Sequence, residues 1–116
     1  MEQDRQYRNK QKIEDILQAI AKIEKYLDGV SRDAFLDQKN TMMQDAVVRE
    51  LEIIGEAAKG LTREFWESHP KIDWNQIMGM RNRIVHDYED VDLVVVWETA
   101  IGDLKTLKKA FQDMGD

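Results

Sequence analysis

The sequence predicts an all-α protein, an antiparallel up-and-down helical bundle of four main helices plus one or two short ones. Three observations predict it. Apolar residues recur at the i, i+3, i+4, i+7 spacing of a helix in three long stretches. Strand-like alternation is nowhere sustained, and one proline and six glycines in 116 residues leave few breaks for turns. With 42% hydrophobic and 34% charged residues the chain is expected to bury one core, so residues 1–116 are read as a single domain with a radius of gyration of roughly 13 Å.

The first dozen residues are polar, and either fray or extend the first helix. From Ile13 the positions Ile16, Leu17, Ile20, Ile23 and Leu27 form a clear stripe, closed by Asp28-Gly29. Ser31 is placed to cap a short helix through Leu36, and Asn40-Thr41 to start a second long one. The stripe of that helix is Met43, Val47, Leu51, Ile54, Ala58 and Leu61, and Gly60 marks its end. Its opposite face carries Arg49, Glu52 and Glu56, read as a solvated, charge-paired surface. Thr62 is expected to cap a short helix that carries Phe65 and Trp66 and stops before Pro70. Asp73 with Gln76 resembles a capping box, so a further helix starts at Trp74. The acidic stretch Asp87–Asp92 breaks the pattern, with Asp90 or Asp92 as cap of the last helix. Its stripe is read as Val94, Trp97, Ile101, Leu104 and Phe111, flanked by Leu93, Val96, Leu107 and Met114. So wide an apolar surface suggests contact with another chain as well as with its own bundle.

The most informative anomaly lies in the helix that begins at Trp74 and is read as running to Tyr88. At about 100° per residue, Trp74, Val85, Met78, Ile77 and Ile84 all fall within about 60° of Arg81, so a guanidinium sits mid-stripe. A buried guanidinium cannot shed its proton and needs a carboxylate, a phosphate or a wet cleft. Asn82, His86 and Gly79 follow at about +100°, +140° and +160°, one edge of the same helix. His86 brings a group that exchanges a proton near neutral pH, and Gly79 leaves room for another helix.

These residues, written out as RNRIVHDY, resemble the Arg-x4-His-x-Tyr signature of the HEPN superfamily, and the asparagine after the arginine resembles its HepT toxin branch. The resemblance extends to LEIIGEA at Leu51–Ala57 and to Val91-Asp92-Leu93. It implies a HEPN-type bundle and a homodimer with the motif helices facing across a two-fold axis, which would bring two copies of Arg81 and His86 into one cleft. It implies a metal-independent endoribonuclease, the toxin of a toxin-antitoxin pair, acting on tRNA or mRNA. In such chemistry the 2′-hydroxyl attacks the adjacent phosphate, a histidine moves the proton and an arginine holds the phosphate oxygens. His86 and Arg81 are the residue types for those two roles, with Asn82 either orienting His86 or donating to a phosphate oxygen. Taken alone, an arginine and a histidine five apart on a helix more often make an ion pair and a surface imidazole. Tyr88 matches the tyrosine that a cognate minimal nucleotidyltransferase antitoxin adenylylates. On periodicity alone it reads as a core residue with its hydroxyl at the rim.

Other chemistry finds no footing. With no cysteine, disulfides and thiolate metal sites are excluded, and no Gly-rich phosphate loop, G-x-S-x-G elbow or H-E-x-x-H pair occurs. Glu52 and Glu56 lack a third ligand in register, so no metal and no cofactor are expected. His69, beside Pro70, reads as an ordinary exposed loop residue. The longest apolar run, Leu93–Trp97, is too short to cross a bilayer and the N-terminus has no signal-peptide core, which points to a cytoplasmic protein. A net charge of −6 means that any RNA-binding face must be local, built on Arg81 and Arg83. That acidity also keeps open an alternative, a non-catalytic helical adaptor that binds a nucleotidyltransferase partner or a nucleotide.

Overall fold

The computed structural model describes residues 2–79 and 92–114, and every regular element among them is helical. Helix α1, Glu2–Tyr26, takes in the polar N-terminal residues, which extend the helix instead of fraying. Ile16, Ala19, Ile20 and Ile23 are buried, while the first three turns remain largely exposed. Three residues tie those turns down: the Arg8 Nε donates to the Gly60 carbonyl at 2.7 Å, Asn9 meets Thr62 twice, and Arg5 lies 3.7 Å from the Glu64 carboxylate. The chain leaves α1 through Gly29, whose φ of +74° is the left-handed conformation that glycine adopts without strain.

Helix α2, Arg32–Leu36, is capped by Ser31, whose hydroxyl accepts from the Ala34 amide at 3.1 Å. A 3₁₀ turn, Gln38–Asn40, leads into α3, Thr41–Lys59. Asn40 does not cap α3; its amide donates to the Ala34 carbonyl and so fastens α2 to the entry of α3. Gln44 supports the same corner, donating to the carbonyls of Phe35 at 2.8 Å and Asp37 at 2.9 Å. Val47, Leu51, Ile54 and Ala58 are buried as their spacing requires, Met43 is half-buried, and Leu61 is buried just beyond the helix end. Because Arg8 and Asn9 meet the end of α3, α1 and α3 run antiparallel.

Helix α4, Arg63–Ser68, is capped by the Thr62 hydroxyl, which accepts from the Phe65 amide at 3.3 Å. Helix α5 is described over residues 74–79. Helix α6, Leu93–Glu98, is capped by Asp92, whose Oδ1 accepts from the amides of Val94 and Val95 at 3.0 and 3.4 Å. It passes through a π turn, Thr99–Asp103, into α7, Leu104–Met114.

That π turn corrects the register expected for the last helix. An i→i+5 turn advances by roughly 80° per residue instead of about 100°, so the helix phase slips by about one residue across it. Trp97, Leu104 and Phe111 of the expected stripe are buried, joined by Val96, Ala100 and Leu107, whereas Val94 is only half-buried. Ile101, read as a stripe residue, is 40% exposed.

Two aromatic groups close the core. Phe35 and Trp97 pack at 5.5 Å between centroids, while Phe65, Trp74 and Phe111 meet pairwise at 6.0–6.3 Å. The second group joins α4, the start of α5 and α7. The radius of gyration is 14.6 Å and the long axis 49 Å, more elongated than a compact chain of this length because the first turns of α1 are largely exposed.

Candidate functional site

Arg81, Asn82, His86 and Tyr88 lie outside the described residues, as does Arg83. What is described is the mounting of the helix read as carrying them. Asp73 Oδ1 accepts from the Gln76 amide at 3.0 Å, and the Asp73 carbonyl accepts from Ile77, so α5 begins where the capping pattern sets it. The capping box is only half made. Gln76 does not reach back to Asp73; its side-chain amide donates to Asp103 Oδ2 at 3.0 Å and ties the first turn of α5 to the π turn.

Trp74 fixes the other side of that turn. It is 8% exposed, lies against Phe65 and Phe111, and its indole N–H donates to the His69 carbonyl at 3.1 Å. Ile77 and Met78 are half-buried and pack against the core, while Asn75 and Gln76 are exposed. The apolar stripe read from the sequence therefore holds over the part of α5 that is described. At Gly79 a Cβ would meet nothing within 4 Å, so the glycine is not needed for a close approach among the described residues.

His69 corrects an expectation. It is half-buried, its ring lies 4.4 Å from Phe65, and its Nδ1 donates to the Phe65 carbonyl at 2.9 Å with Ser68 Oγ at 3.0 Å. A carbonyl only accepts, so Nδ1 carries the proton and His69 is a packed helix terminator. The adjacent Pro70 made it look like loop, but the partner is one turn back in α4.

The outer face of α3 is also more structured than its charges suggested. Between α1 and α3 runs an open groove of about 590 Å³ lined by Lys12, Asp15, Arg49, Glu52, Ile53 and Glu56. Among the described residues no ion pair joins Arg49 to Glu52. Spacing along one helix could not reveal a groove whose other wall comes from α1. No group of acidic and histidine side chains among the described residues is arranged to hold a metal ion. Nor is any described helix long and apolar enough to cross a membrane.

An all-helical up-and-down bundle, with a late helix started by Asp73 and Trp74 and a final one capped by Asp92, is consistent with a HEPN-like fold. The chain belongs to the HepT-like ribonuclease family, which it matches over residues 16–114. It is 40% identical over 106 residues to the "Probable ribonuclease HepT" of Thermococcus cleftensis, covering 91% of this chain and 94% of that one. It is 37% identical over 102 residues to "Putative RNase TTE0752" of Caldanaerobacter subterraneus subsp. tengcongensis, covering 88% and 89%. No solved structure matches it.

Proposed function

We propose that this protein is a metal-independent endoribonuclease, the toxin of a toxin-antitoxin pair, with its chemistry at Arg81 and His86. Family membership supports the ribonuclease reading. The observation that carries the site is the packing of Trp74, Ile77 and Met78 on the core, since they begin the stripe in which the sequence sets Arg81.

In this reading the RNA 2′-hydroxyl gives its proton to an imidazole and attacks the neighbouring phosphorus. The bond to the 5′-oxygen breaks, that oxygen takes a proton, and a 2′,3′-cyclic phosphate remains. Arg81 neutralises the charge that builds on the phosphate oxygens, and Asn82 orients His86 or donates to the same oxygens. A homodimer with facing motif helices supplies two imidazoles to one cleft, one to accept the proton and one to donate. A cognate minimal nucleotidyltransferase antitoxin silences the enzyme by adenylylating Tyr88, because AMP there adds bulk and negative charge beside Arg81.

The test is cleavage of total RNA in EDTA by unmodified protein, with the ends of the products mapped. Wild type is expected to leave cyclic phosphates, and His86→Ala and Arg81→Ala to be folded and inert, with losses on the order of 10²-fold or more. An uncut substrate, or a His86→Ala variant that cuts as well as wild type, sinks the proposal. One observation favours the second reading, a non-catalytic adaptor for a nucleotidyltransferase or a nucleotide: the net charge is −6, and the described groove has three carboxylates to two cations.

A further inference from the structure

Helix α5 is held on two sides of its first turn, and only one of the two is buried. Trp74 sits in the core against Phe65 and Phe111. Gln76, two residues on and about 160° round the helix, is exposed and donates to Asp103 Oδ2 at 3.0 Å. Packing under this turn leaves slack, because a cavity of about 20 Å³ remains among Ile77, Leu51, Ile54 and Thr99. The acceptor comes from the π turn of the last helix. Phased on Val96, an unbroken α-helix sets residue 103 within about 20° of that buried side chain. The slip across Thr99–Asp103 turns it away by about 100°, to the exposed edge where Gln76 meets it.

The geometry points to Gln76 and Asp103 as positioning residues for the proposed ribonuclease: their hydrogen bond fixes the roll of α5 about its own axis. The inference deepens that reading and rests on it. Trp74 alone is a single pivot, and a second tie on the far side of the turn removes the freedom to roll about it. Arg81 and His86 stand five and ten residues beyond Gln76 on the helix read from the sequence. A side-chain tip about 6 Å from a helix axis moves about 2 Å for a roll of about 20°. Misplacement of a reacting group by about 1 Å can cost about 10²-fold in rate. The bond touches no reacting atom and acts only through the helix it steadies.

The test is steady-state cleavage of a short RNA by the full chain, read as kcat and KM per folded molecule, with urea denaturation and circular dichroism to give the folded fraction. Asp103→Leu removes the acceptor, and Gln76→Glu sets two carboxylates together. Each is expected to lower kcat roughly tenfold and to leave KM within about threefold. Asp103→Asn keeps an acceptor and is expected to cut like wild type. The double variant Gln76→Glu with Asp103→Asn reverses donor and acceptor and is expected to regain wild-type kcat. A bond that served stability alone would lower activity only in step with the folded fraction. Single variants with wild-type kcat per folded molecule, in a protein that cuts, therefore overturn the positioning role and leave the ribonuclease standing. A double variant no better than Gln76→Glu overturns it too. The Ile77 and Thr99 methyl resonances, expected to move in Gln76→Glu and to return in the double variant, report the roll without any substrate. Wild type that cuts nothing, while those resonances respond in this way, removes the ribonuclease and leaves the tie.

Discussion

At the level of single residues, the proposed switch and the mounting of α5 fall on different side chains. Tyr88 is proposed to be where activity is turned off. A Tyr88→Phe variant, which keeps the ring and loses the acceptor oxygen, is expected to cut RNA within a few-fold of wild type. It should no longer be silenced when the nucleotidyltransferase and ATP are added, as a cleavage assay before and after that incubation would read. Asp73 acts on the mounting. Its carboxylate satisfies the Gln76 amide at the start of α5, and Asp73→Ala is expected to cost about 1 kcal/mol in urea denaturation. Trp74 is the stronger anchor, and Trp74→Ala is expected to cost about 3–5 kcal/mol by emptying the space between Phe65 and Phe111.

At the scale of elements, helix starts were legible because a capping side chain is a local device. Ser31, Thr62, Asp73 and Asp92 each accept from an amide two or three residues on, and each is visible in the sequence as an oxygen-bearing residue ahead of an apolar run. Asn40 misled because its amide serves α2 rather than the helix it precedes. The π turn was not legible, since apolar residues fill so much of the last helix that two registers satisfy the pattern. It leads to a definite expectation. Deleting Ile101 converts the π turn to ordinary α-helix and leaves Val96, Ala100, Leu104, Leu107 and Phe111 spaced by four, three, three and four, one continuous stripe. That variant should unfold cooperatively with near-native helicity. Deleting Lys109 instead turns Phe111 out of the core by about 100° and should unfold the chain.

At the scale of the whole molecule, the bundle and its antiparallel course followed from periodicity and short connections, whereas the α1–α3 groove did not. Its walls are Lys12 and Asp15 on one helix and Arg49 and Glu52 on another, and only tertiary packing brings them together. The acidic balance sets how the protein must hold RNA. If Arg81 and Arg83 of two subunits are the main phosphate contacts, four cations at about 0.7 each give a salt slope no steeper than about −3 for a single strand. Fluorescence anisotropy of His86→Ala on a short RNA, across a salt series, is expected to show that shallow slope, reduced further by adding Arg81→Ala. A steeper slope would mean that another basic surface takes part.

The clasp between Asn9 and Thr62 has a consequence in time. Its partners are 53 residues apart, and Thr62 is also the cap of α4, so the clasp closes only after α3 and α4 have formed and met α1. The first turns of α1, largely exposed and held by such late-closing contacts, are therefore expected to open first. Their amides should exchange with solvent through a local opening much less costly than global unfolding, while those around Ile16 to Ile23 wait for the whole bundle to come apart.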